Sequence, residues 1–313
     1  MGSSARGRQA EANALVPLPM RDGVAPSYLW LTETRAGGML RFLSERFPDV
    51  PLQSWAARLE RGDIVDARGA RVAFDTPVRQ GMRIWYYREL DTPETPIPFA
   101  EQVLFQDAHI LVADKPHFLP TIPTGRFLKE TLLVRLKRRY GMPDLVPIHR
   151  LDRETAGVVI FSHNPASRGA YQSMFQKRVV TKTYEAIAPV LRDRAMPFTY
   201  RSRMQDAAQF FLSEEVAGEP NSETLIEVIE QRGDLARYRL HPHTGRKHQL
   251  RLHLSSLGAP IVGDSFYPVA RPCGSDDFDA PLRLLARAIA FDDPLTRQPR
   301  SFASRFDLDW PTV

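Results

Sequence analysis

The stretch His149-Arg150-Leu151-Asp152-Arg153-Glu154-Thr155-Ala156-Gly157, called the central motif below, lies near the middle of the 313-residue chain. Apolar runs at residues 146–148 and 158–161 flank it, and both predict buried strands. A carboxylate is therefore placed at a strand edge between two arginines. Burial raises the pKa of such a carboxyl group and guanidinium groups lower it, so we expect Asp152 to be ionised and available as a nucleophile or a base. The same residues are also compatible with a turn aspartate between two solvated arginines.

Composition limits the class of protein. Apolar residues make up 43% of the chain, which is enough for one large or two medium domains. The single cysteine, Cys273, excludes an internal disulfide and suits a reducing compartment. There is no run of about 18 apolar residues, and the first residues lack the apolar stretch of a secretion signal. We therefore expect a cytoplasmic protein that does not bind a membrane.

The charge distribution favours a polyanionic partner. The net charge is +5 and the pI is about 9.4. Residues 235–263 contain no aspartate or glutamate. The basic residues of this segment are Arg237, Arg239, Arg246, Lys247 and Arg251, together with His241, His243, His248 and His253. Such a patch is typical of a surface that binds phosphates.

Sequence patterns divide the chain into four parts. Residues 1–27 show no period and predict a disordered tail. Residues 28–90 predict a small module of two helices followed by short strands, including one at residues 72–74. Residues 91–98 contain three prolines and predict a stiff linker. Residues 99–313 form the main domain.

Within the main domain, three helices and most strands have recognisable signals. Leucines at helical spacing predict a helix that ends at Gly141, and Asn164-Pro165 predicts the start of another. A third helix is expected over residues 247–257, after a hairpin that turns at residues 232–234. Residues 192–222 carry no pattern that indicates a structure.

The central motif resembles the signature of the RluA family of RNA pseudouridine synthases. Three further stretches resemble the family in the same order along the chain. They are Asp114-Lys115-Pro116, Lys182-Thr183-Tyr184 and the run Thr-Gly-Arg-Lys-His-Gln-Leu-Arg-Leu-His at residues 244–253. The similarity covers about residues 99–311. Two residues depart from the family pattern. Phe118 stands where the family usually has glycine, so we expect the loop 117–125 to take a different shape. Arg287 stands where the family commonly has histidine.

The resemblance implies a fold, a reaction and a partner. The implied fold is α+β, with a mixed, mainly antiparallel central sheet flanked by helices. Residues 28–90 look like a degenerate S4-like RNA-binding module, in which Arg41, Arg46, Arg58 and Arg61 would contact phosphates. The implied activity is isomerisation of uridine to pseudouridine in RNA without a cofactor or a metal. Ribosomal RNA is a more natural substrate than transfer RNA for such a module, and we expect a monomer.

The resemblance also implies roles for individual residues. Asp152, Tyr184 and Arg246 would be catalytic: Asp152 carries the chemistry, Arg246 pairs with it, and Tyr184 stacks on the target base. Arg150 would fill the position that the flipped base leaves. The expected substrate-binding residues are Arg150, Arg153, His149, Lys115, Gln249, Lys247 and Arg251.

Other functions remain compatible with parts of the sequence. Four clustered histidines suggest a metal site, but no cysteine or carboxylate accompanies them, and the spacing is not that of a helical zinc pair. A glycoside hydrolase using Asp152 and Glu154 is disfavoured, because such enzymes place two carboxyl groups across a bond. An RNA-binding or ribosome-assembly factor that has lost the chemistry is another alternative, as is a synthase directed at transfer RNA.

Overall fold

The computed structural model describes residues 16–90, 92–209, 211–271 and 277–311. The chain forms two compact units, Met1–Pro93 and Glu94–Val313, which divide within the proline-rich segment 91–98. Cys273 lies outside the described residues.

Residues 1–27 were predicted to form a disordered tail. Residues 1–15 lie outside the described residues, but residues 16–27 are ordered, which corrects that part of the prediction. Arg21 and Val24 exchange two backbone hydrogen bonds. The Arg21 guanidinium lies 3.7 Å above the ring of Tyr87, whose hydroxyl donates to the carbonyl of Pro19 at 2.6 Å. These contacts order a segment that has no periodic pattern of its own, which is why sequence patterning missed it.

The N-terminal unit is a three-stranded antiparallel sheet with two helices packed on one face. Its elements are β1 (Ser27–Trp30), α1 (Gly38–Arg46), α2 (Leu52–Arg61), β2 (Ile64–Asp66) and β3 (Arg83–Tyr86), and the strand order is β1-β3-β2. Both helices and the strands β2 and β3 were predicted. β1 was missed, and residues 72–74 form no strand, because Val72 enters the core between turns.

The C-terminal unit contains the remaining elements. Its strands are β4 (Gln102–Gln106), β5 (Ile110–Lys115), β6 (Val146–Pro147), β7 (Ala156–Ser162), β8 (Thr181–Pro189), β9 (Phe198–Asp206), β10 (Ser213–Val216), β11 (Ser222–Arg232), β12 (Leu235–Pro242), β13 (Leu284–Asp292) and β14 (Pro299–Ala303). Its helices are α3 (Leu132–Tyr140), α4 (Pro165–Gln176) and α5 (Gln249–Ser256). The three predicted helices are confirmed.

One mixed sheet organises this unit. Among the described residues it has eleven strands, in the order β10-β9-β11-β12-β8-β13-β7-β5-β4, with β14 beside β13 and β6 beside β7. All pairs are antiparallel except β7 and β13. The predicted α+β fold with a mainly antiparallel sheet is therefore confirmed. The strands β9 and β10 fall in residues 192–222, where half-exposed strands with many polar residues left no apolar signal.

Helices cover both faces of the sheet because buried residues of β5 alternate. Leu111 and Ala113 pack with α3, whereas Ile110 and Val112 pack with α4. The apolar side of α5 packs on β8 and β12 through Leu250 and Leu254. The central motif leads into β7, in the middle of this arrangement.

A close backbone approach explains the glycine that ends the central motif. Gly157 has φ +116, and a Cβ atom there would lie 2.2 Å from the carbonyl oxygen of Ala286 in the parallel partner β13. Backbone cannot yield in the way that a flexible side chain can, so only glycine fits.

We predict that Gly157→Ala lowers the free energy of unfolding by on the order of 3 kcal/mol or more, because it adds both a clash and a strained φ. Urea denaturation of purified protein measures this change. Gly169→Ala is the matched control: Gly169 lies within α4 with nothing within 4 Å of its Cβ position, so alanine there should be neutral or stabilising. Equal stability of the two variants would contradict the argument.

Candidate active site

Three segments that lie far apart in the sequence meet in one cleft beside the central motif. β8 contributes Lys182 and Tyr184. The loop before α5 and α5 itself contribute further lining residues. The cleft is lined by Arg150, Leu151, Asp152, Thr155, Lys182, Tyr184, Pro242, Thr244, Gly245, Arg246, His248, Gln249, Leu250, Arg251 and Leu284. Every stretch that resembled the family, except the Lys115-Pro116 pair, therefore contributes to one site.

Asp152 is about one-third exposed at the floor of this cleft. Its Oδ2 atom lies 3.9 Å from Nη1 of Arg251 and 3.9 Å from Nε2 of His248. Both partners come from the segment that begins α5, and Arg251 is the charged one. The arrangement brings positive charge to one side of the carboxylate and leaves the other side open to the cleft.

A buried ion pair fixes Arg251. Its side chain is 1% exposed, and its Nε and Nη2 atoms donate to the two carboxylate oxygens of Asp264 at 2.8 and 2.6 Å. Only Nη1 remains for other groups, and it lies 3.5 Å from Glu154 and 3.9 Å from Asp152. A two-bond fork of this kind allows little rotation, so Arg251 presents one N–H edge to the central motif.

Arg246 does not pair with Asp152, which corrects the sequence prediction. It is exposed at the rim of the cleft, and its Nε donates to the carbonyl of Asn221 at 3.3 Å. Residue 248 has φ +57 and starts the helix, so residue 246 still belongs to the preceding turn, whereas residue 251 lies inside α5. The motif contains both arginines, and sequence spacing could not tell which one faces the carboxylate.

His248 lines the cleft, but the sequence analysis counted it only in the basic segment 235–263 and as a possible metal ligand, not among the catalytic or substrate-binding residues. It is 8% exposed, and its Nδ1 atom lies 3.0 Å from the hydroxyl of Tyr267. Burial lowers the pKa of His248, although the charge of Asp152 opposes this effect. The imidazole is therefore mainly neutral near pH 7.

Tyr184 lies in β8 opposite Leu240 of β12 and forms one wall of the cleft. Burial raises the pKa of its phenol, and the negative charge of Asp152 adds to the effect. The phenol therefore keeps its proton at neutral pH. It offers a flat apolar surface and one O–H donor next to the carboxylate.

A second cavity adjoins the cleft and is called the basic cavity below. It is lined by His149, Arg150, Phe175, Arg178, Val180, Lys182, Tyr184, His243, Thr244, Gly245 and Arg246, of which six also line the cleft. No carboxylate lines it among the described residues. Of the basic segment predicted at residues 235–263, only Arg246 and His243 line this cavity, and its other cations are Arg150, Arg178 and Lys182.

Comparison with known proteins identifies the family. A family model described as RNA pseudouridylate synthase matches residues 109–256. The Dual-specificity RNA pseudouridine synthase RluA of Escherichia coli is 35% identical over 181 residues, which cover 54% of this chain and 78% of that protein. An uncharacterized RNA pseudouridine synthase of Synechocystis is 28% identical over 235 residues, covering 73% of this chain and 79% of the other. This chain belongs to the RluA family of RNA pseudouridine synthases.

Solved structures show the same fold. Human RNA Pseudouridylate Synthase Domain Containing 1 superposes with a TM-score of 0.55 at 24% identity, covering 68% of this chain and 86% of the other. Human RNA Pseudouridylate Synthase Domain Containing 4 has a TM-score of 0.50 at 25% identity, covering 65% and 87%. Membership of the family, shown by the family model and the curated relatives, makes the protein an isomerase that acts on RNA.

Lys115 of this pseudouridine synthase lies outside the cleft, contrary to the predicted substrate contact. It is fully buried, and its Nζ atom donates to the carbonyls of Pro116, Leu119 and Arg153 at 3.0, 2.7 and 3.0 Å. Burial lowers the pKa of Lys115 to about 7. The side chain ties the end of β5 to the central motif and supports the site from behind.

Arg153 and Lys247 also lie outside the residues that line the cleft. Arg153 pairs with Glu154 at 3.2 Å, and its guanidinium lies 5.0 Å from the ring of Phe127. Lys247 pairs with Asp206 at 2.8 Å. Both side chains are oriented by neighbours in the protein, and their predicted role in substrate binding stays a prediction.

Gln249 lines the cleft, but its amide is used within the protein. The carbonyl oxygen accepts from the hydroxyl of Thr244 at 2.7 Å and from the backbone of Arg246 at 3.1 Å. Its NH₂ group donates to the carbonyl of Glu223 and the hydroxyl of Thr224, both at 3.0 Å. The predicted role in substrate binding is replaced by a structural one, since Gln249 fixes the loop in front of α5.

His149 holds the start of the central motif against β7. Its Nε2 atom accepts from the backbone N–H of Ile160 at 3.1 Å, and its ring stacks on Phe175 with centroids 4.8 Å apart. Burial lowers the pKa of His149 to about 3. The ring forms part of the basic cavity wall, but it is neutral and its acceptor nitrogen is occupied.

Phe118 takes the backbone conformation that glycine would supply. Its φ is +64, in the left-handed region, and its ring is 7% exposed between Phe99 and Phe278. Strain of about 1 kcal/mol is offset by aromatic burial. Phe118 is thus accommodated in a left-handed backbone, and a different shape of the loop 117–125 relative to the family stays a prediction.

Arg287 points away from the cleft. It donates to Glu185 at 2.9 Å and to Asp307 at 2.6 Å, and the carbonyl of Phe306 accepts from it at 2.6 Å. This departure from the family therefore joins β13 to β8 and the C-terminal segment, and does not line the substrate cleft.

Within the described ranges, no group of three His, Cys, Asp or Glu side chains could hold a metal ion, and no helix is long and apolar enough to cross a membrane. His253 lies within reach of the hydroxyls of Ser202, Ser222 and Thr224 at 2.9 to 3.2 Å. Burial lowers the pKa of His253 to about 4.

Buried histidines make stability sensitive to acid. Because burial holds the pKa of His149 near 3, the unfolded chain binds a proton between about pH 6.5 and 3 that the folded chain does not. We predict that the free energy of unfolding falls as pH drops through this range, and that His149→Gln reduces the slope by up to about 1.4 kcal/mol per pH unit. Urea denaturation from pH 7 to 4.5 measures the slope. His243→Gln, at an exposed histidine, should leave it unchanged.

Proposed function

We propose that this synthase converts selected uridines of ribosomal RNA to pseudouridine, with Asp152 as the group that reacts at the ribose. The proposal rests chiefly on one observation: Asp152, Tyr184 and the fixed edge of Arg251 face the same cleft. Cytoplasmic location, monomeric state and an S4-like RNA-binding role for the N-terminal unit belong to the same proposal. The preference for ribosomal RNA is supported by that additional unit.

The reaction needs a small set of groups, and the cleft contains them. The bond between uracil N1 and ribose C1′ breaks, a bond between C5 and C1′ forms, and the C5 proton is lost while N1 gains one. Asp152 acts either by attacking C1′ or by removing the 2′ proton. Arg251 keeps the carboxylate oriented and charged, and it replaces Arg246 in this role.

Tyr184 acts on the base. Its raised pKa keeps the phenol protonated before reaction, so it serves as a stacking surface and an O–H donor while the detached uracil turns. The target uridine must first leave its stack, which costs a few kcal/mol. Arg150 is exposed, and its side chain has no ion pair within the part of the chain that the structure describes, so it is available to fill the gap in the RNA.

The basic cavity supplies phosphate contacts beside the target nucleotide. Arg150, Arg178, Lys182 and Arg246 line it together. Burial and the charge of Arg178 lower the pKa of Lys182, whose Nζ donates to the carbonyl of Thr244 at 3.0 Å. A phosphate there would compensate these mutually repelling cations.

The first test replaces the reactive carboxylate. Asp152→Asn should abolish pseudouridine formation in unmodified ribosomal RNA while RNA affinity stays within a few-fold of wild type, because the amide keeps the shape and loses the reactive charge. Asp292→Asn, at an exposed position at the end of β13, is the control and should remain active. Activity of the Asp152 variant would overturn the assignment, and activity only on transfer RNA would overturn the substrate.

The second test separates the two arginines. Arg251→Lys keeps a charge for Asp264 but loses the fork, and should lower kcat by at least about a hundred-fold. Arg246→Gln should mainly raise KM, because it removes one rim phosphate contact. Steady-state kinetics on one RNA substrate, after urea denaturation has verified folding, distinguish these effects. The opposite pattern would restore Arg246 as the partner of Asp152.

A further inference from the structure

One face of the three-stranded sheet in the N-terminal unit carries three aromatic side chains, of which Tyr28 and Trp30 are exposed and Trp85 is buried. The helices α1 and α2 pack on the opposite face, against Ile64 and Ile84. Because side chains alternate along a strand, residues 28 and 30 of β1 and residues 83 and 85 of β3 share the outer face. We call these four residues, Tyr28, Trp30, Arg83 and Trp85, the aromatic face.

The members of the aromatic face are arranged as a platform. Tyr28 pairs across the strands with Trp85, and Trp30 pairs with Arg83. The rings of Tyr28 and Trp85 have centroids 5.0 Å apart, and the Arg83 guanidinium lies 4.9 Å from the ring of Trp30 and 5.2 Å from that of Trp85. Tyr28 and Trp30 are nevertheless 54% and 43% exposed. Large aromatic residues held in place yet open to solvent are typical of a binding surface.

The charge of this face favours an anionic, hydrogen-bond-accepting partner. No carboxylate belongs to it, and the Arg83 side chain makes no ion pair or hydrogen bond with any part of the chain that the structure describes. The helix arginines differ, since Arg41 pairs with Glu45 at 2.8 Å and Arg58 with Glu89 at 3.0 Å. The charges of the helix arginines that were predicted to contact phosphates are thus partly neutralised by carboxylates. On the sheet, the Arg83 guanidinium lies between aromatic rings and has no such partner among the described residues.

We propose that the aromatic face binds an unpaired segment of the RNA substrate, with bases stacked on Tyr28 and Trp30 and a phosphate on Arg83. The proposal rests on the RNA substrate of the proposed function and adds where the N-terminal unit holds that RNA. Every base has a π-face, so such stacking tolerates many sequences, and an arginine beside the rings adds a phosphate contact. A purely apolar protein partner would leave the Arg83 guanidinium without an acceptor, which is unfavourable once it is covered.

The test measures binding of a fluorescently labelled adenine dodecamer to the full-length protein by anisotropy at fixed salt concentration. This RNA contains no uridine, so the measurement does not depend on the reaction at Asp152. Tyr28→Ala and Trp30→Ala should each weaken binding about ten-fold, since stacking contributes on the order of 1–3 kcal/mol per base. Trp30→Phe should retain most of the affinity, because it keeps an aromatic surface.

Phe74→Ala is the matched control, because Phe74 is 42% exposed in the same unit but lies outside the sheet. It should bind the RNA as wild type does. Unchanged affinity of the Tyr28 and Trp30 variants would overturn the proposal, as would a Phe74 variant that weakens binding equally. Variants that keep RNA affinity but alter self-association in sedimentation would assign the face to contacts between protein copies, and would also overturn it. Loss of activity in the Asp152 variant is independent of all these outcomes.

Discussion

The site depends on a buried ion pair between Arg251 and Asp264. Removing both groups from water is costly, and the cost is offset here because Asp264 also accepts backbone hydrogen bonds from Phe266 and Tyr267 at 2.7 and 3.1 Å. The fork leaves one guanidinium edge uncommitted and directs it at Asp152 and Glu154. The Asp152 carboxylate thus lies near a cation whose rotation is restricted, because its Nε and Nη2 atoms are held by Asp264.

The position of Asp152 also depends on the backbone around the central motif. Gly157 lets β7 approach β13 at the end of the central motif, while Lys115 and His149 attach the motif to β5 and β7 from beneath. Phe118 adopts a left-handed conformation that its aromatic neighbours compensate. None of these residues needs to touch RNA. Their contacts hold the loop between the strands and thereby fix the position of Asp152.

The two units use arginine in different ways. In the catalytic unit several arginines and a lysine converge on the basic cavity, where repulsion between cations favours a bound phosphate. In the N-terminal unit the helix arginines are mostly tied to carboxylates, and Arg83 lies among aromatic rings. In the functions proposed above, phosphate binding in the basic cavity and base stacking on the sheet are separate contributions to RNA affinity.

The sequence by itself determined the mainly antiparallel α+β fold, most helices and strands, the family, and the convergence of Asp152 with Tyr184, because apolar periodicity and motif order are local properties of the chain. Only the tertiary structure decided that Arg251 and not Arg246 faces Asp152, that Lys115 and Gln249 are structural, and that His248 belongs to the site. The left-handed residue 248 sets the phase of α5, and this rotation selects which side chains point inward. Such a choice depends on packing against distant strands, which spacing along the chain cannot express.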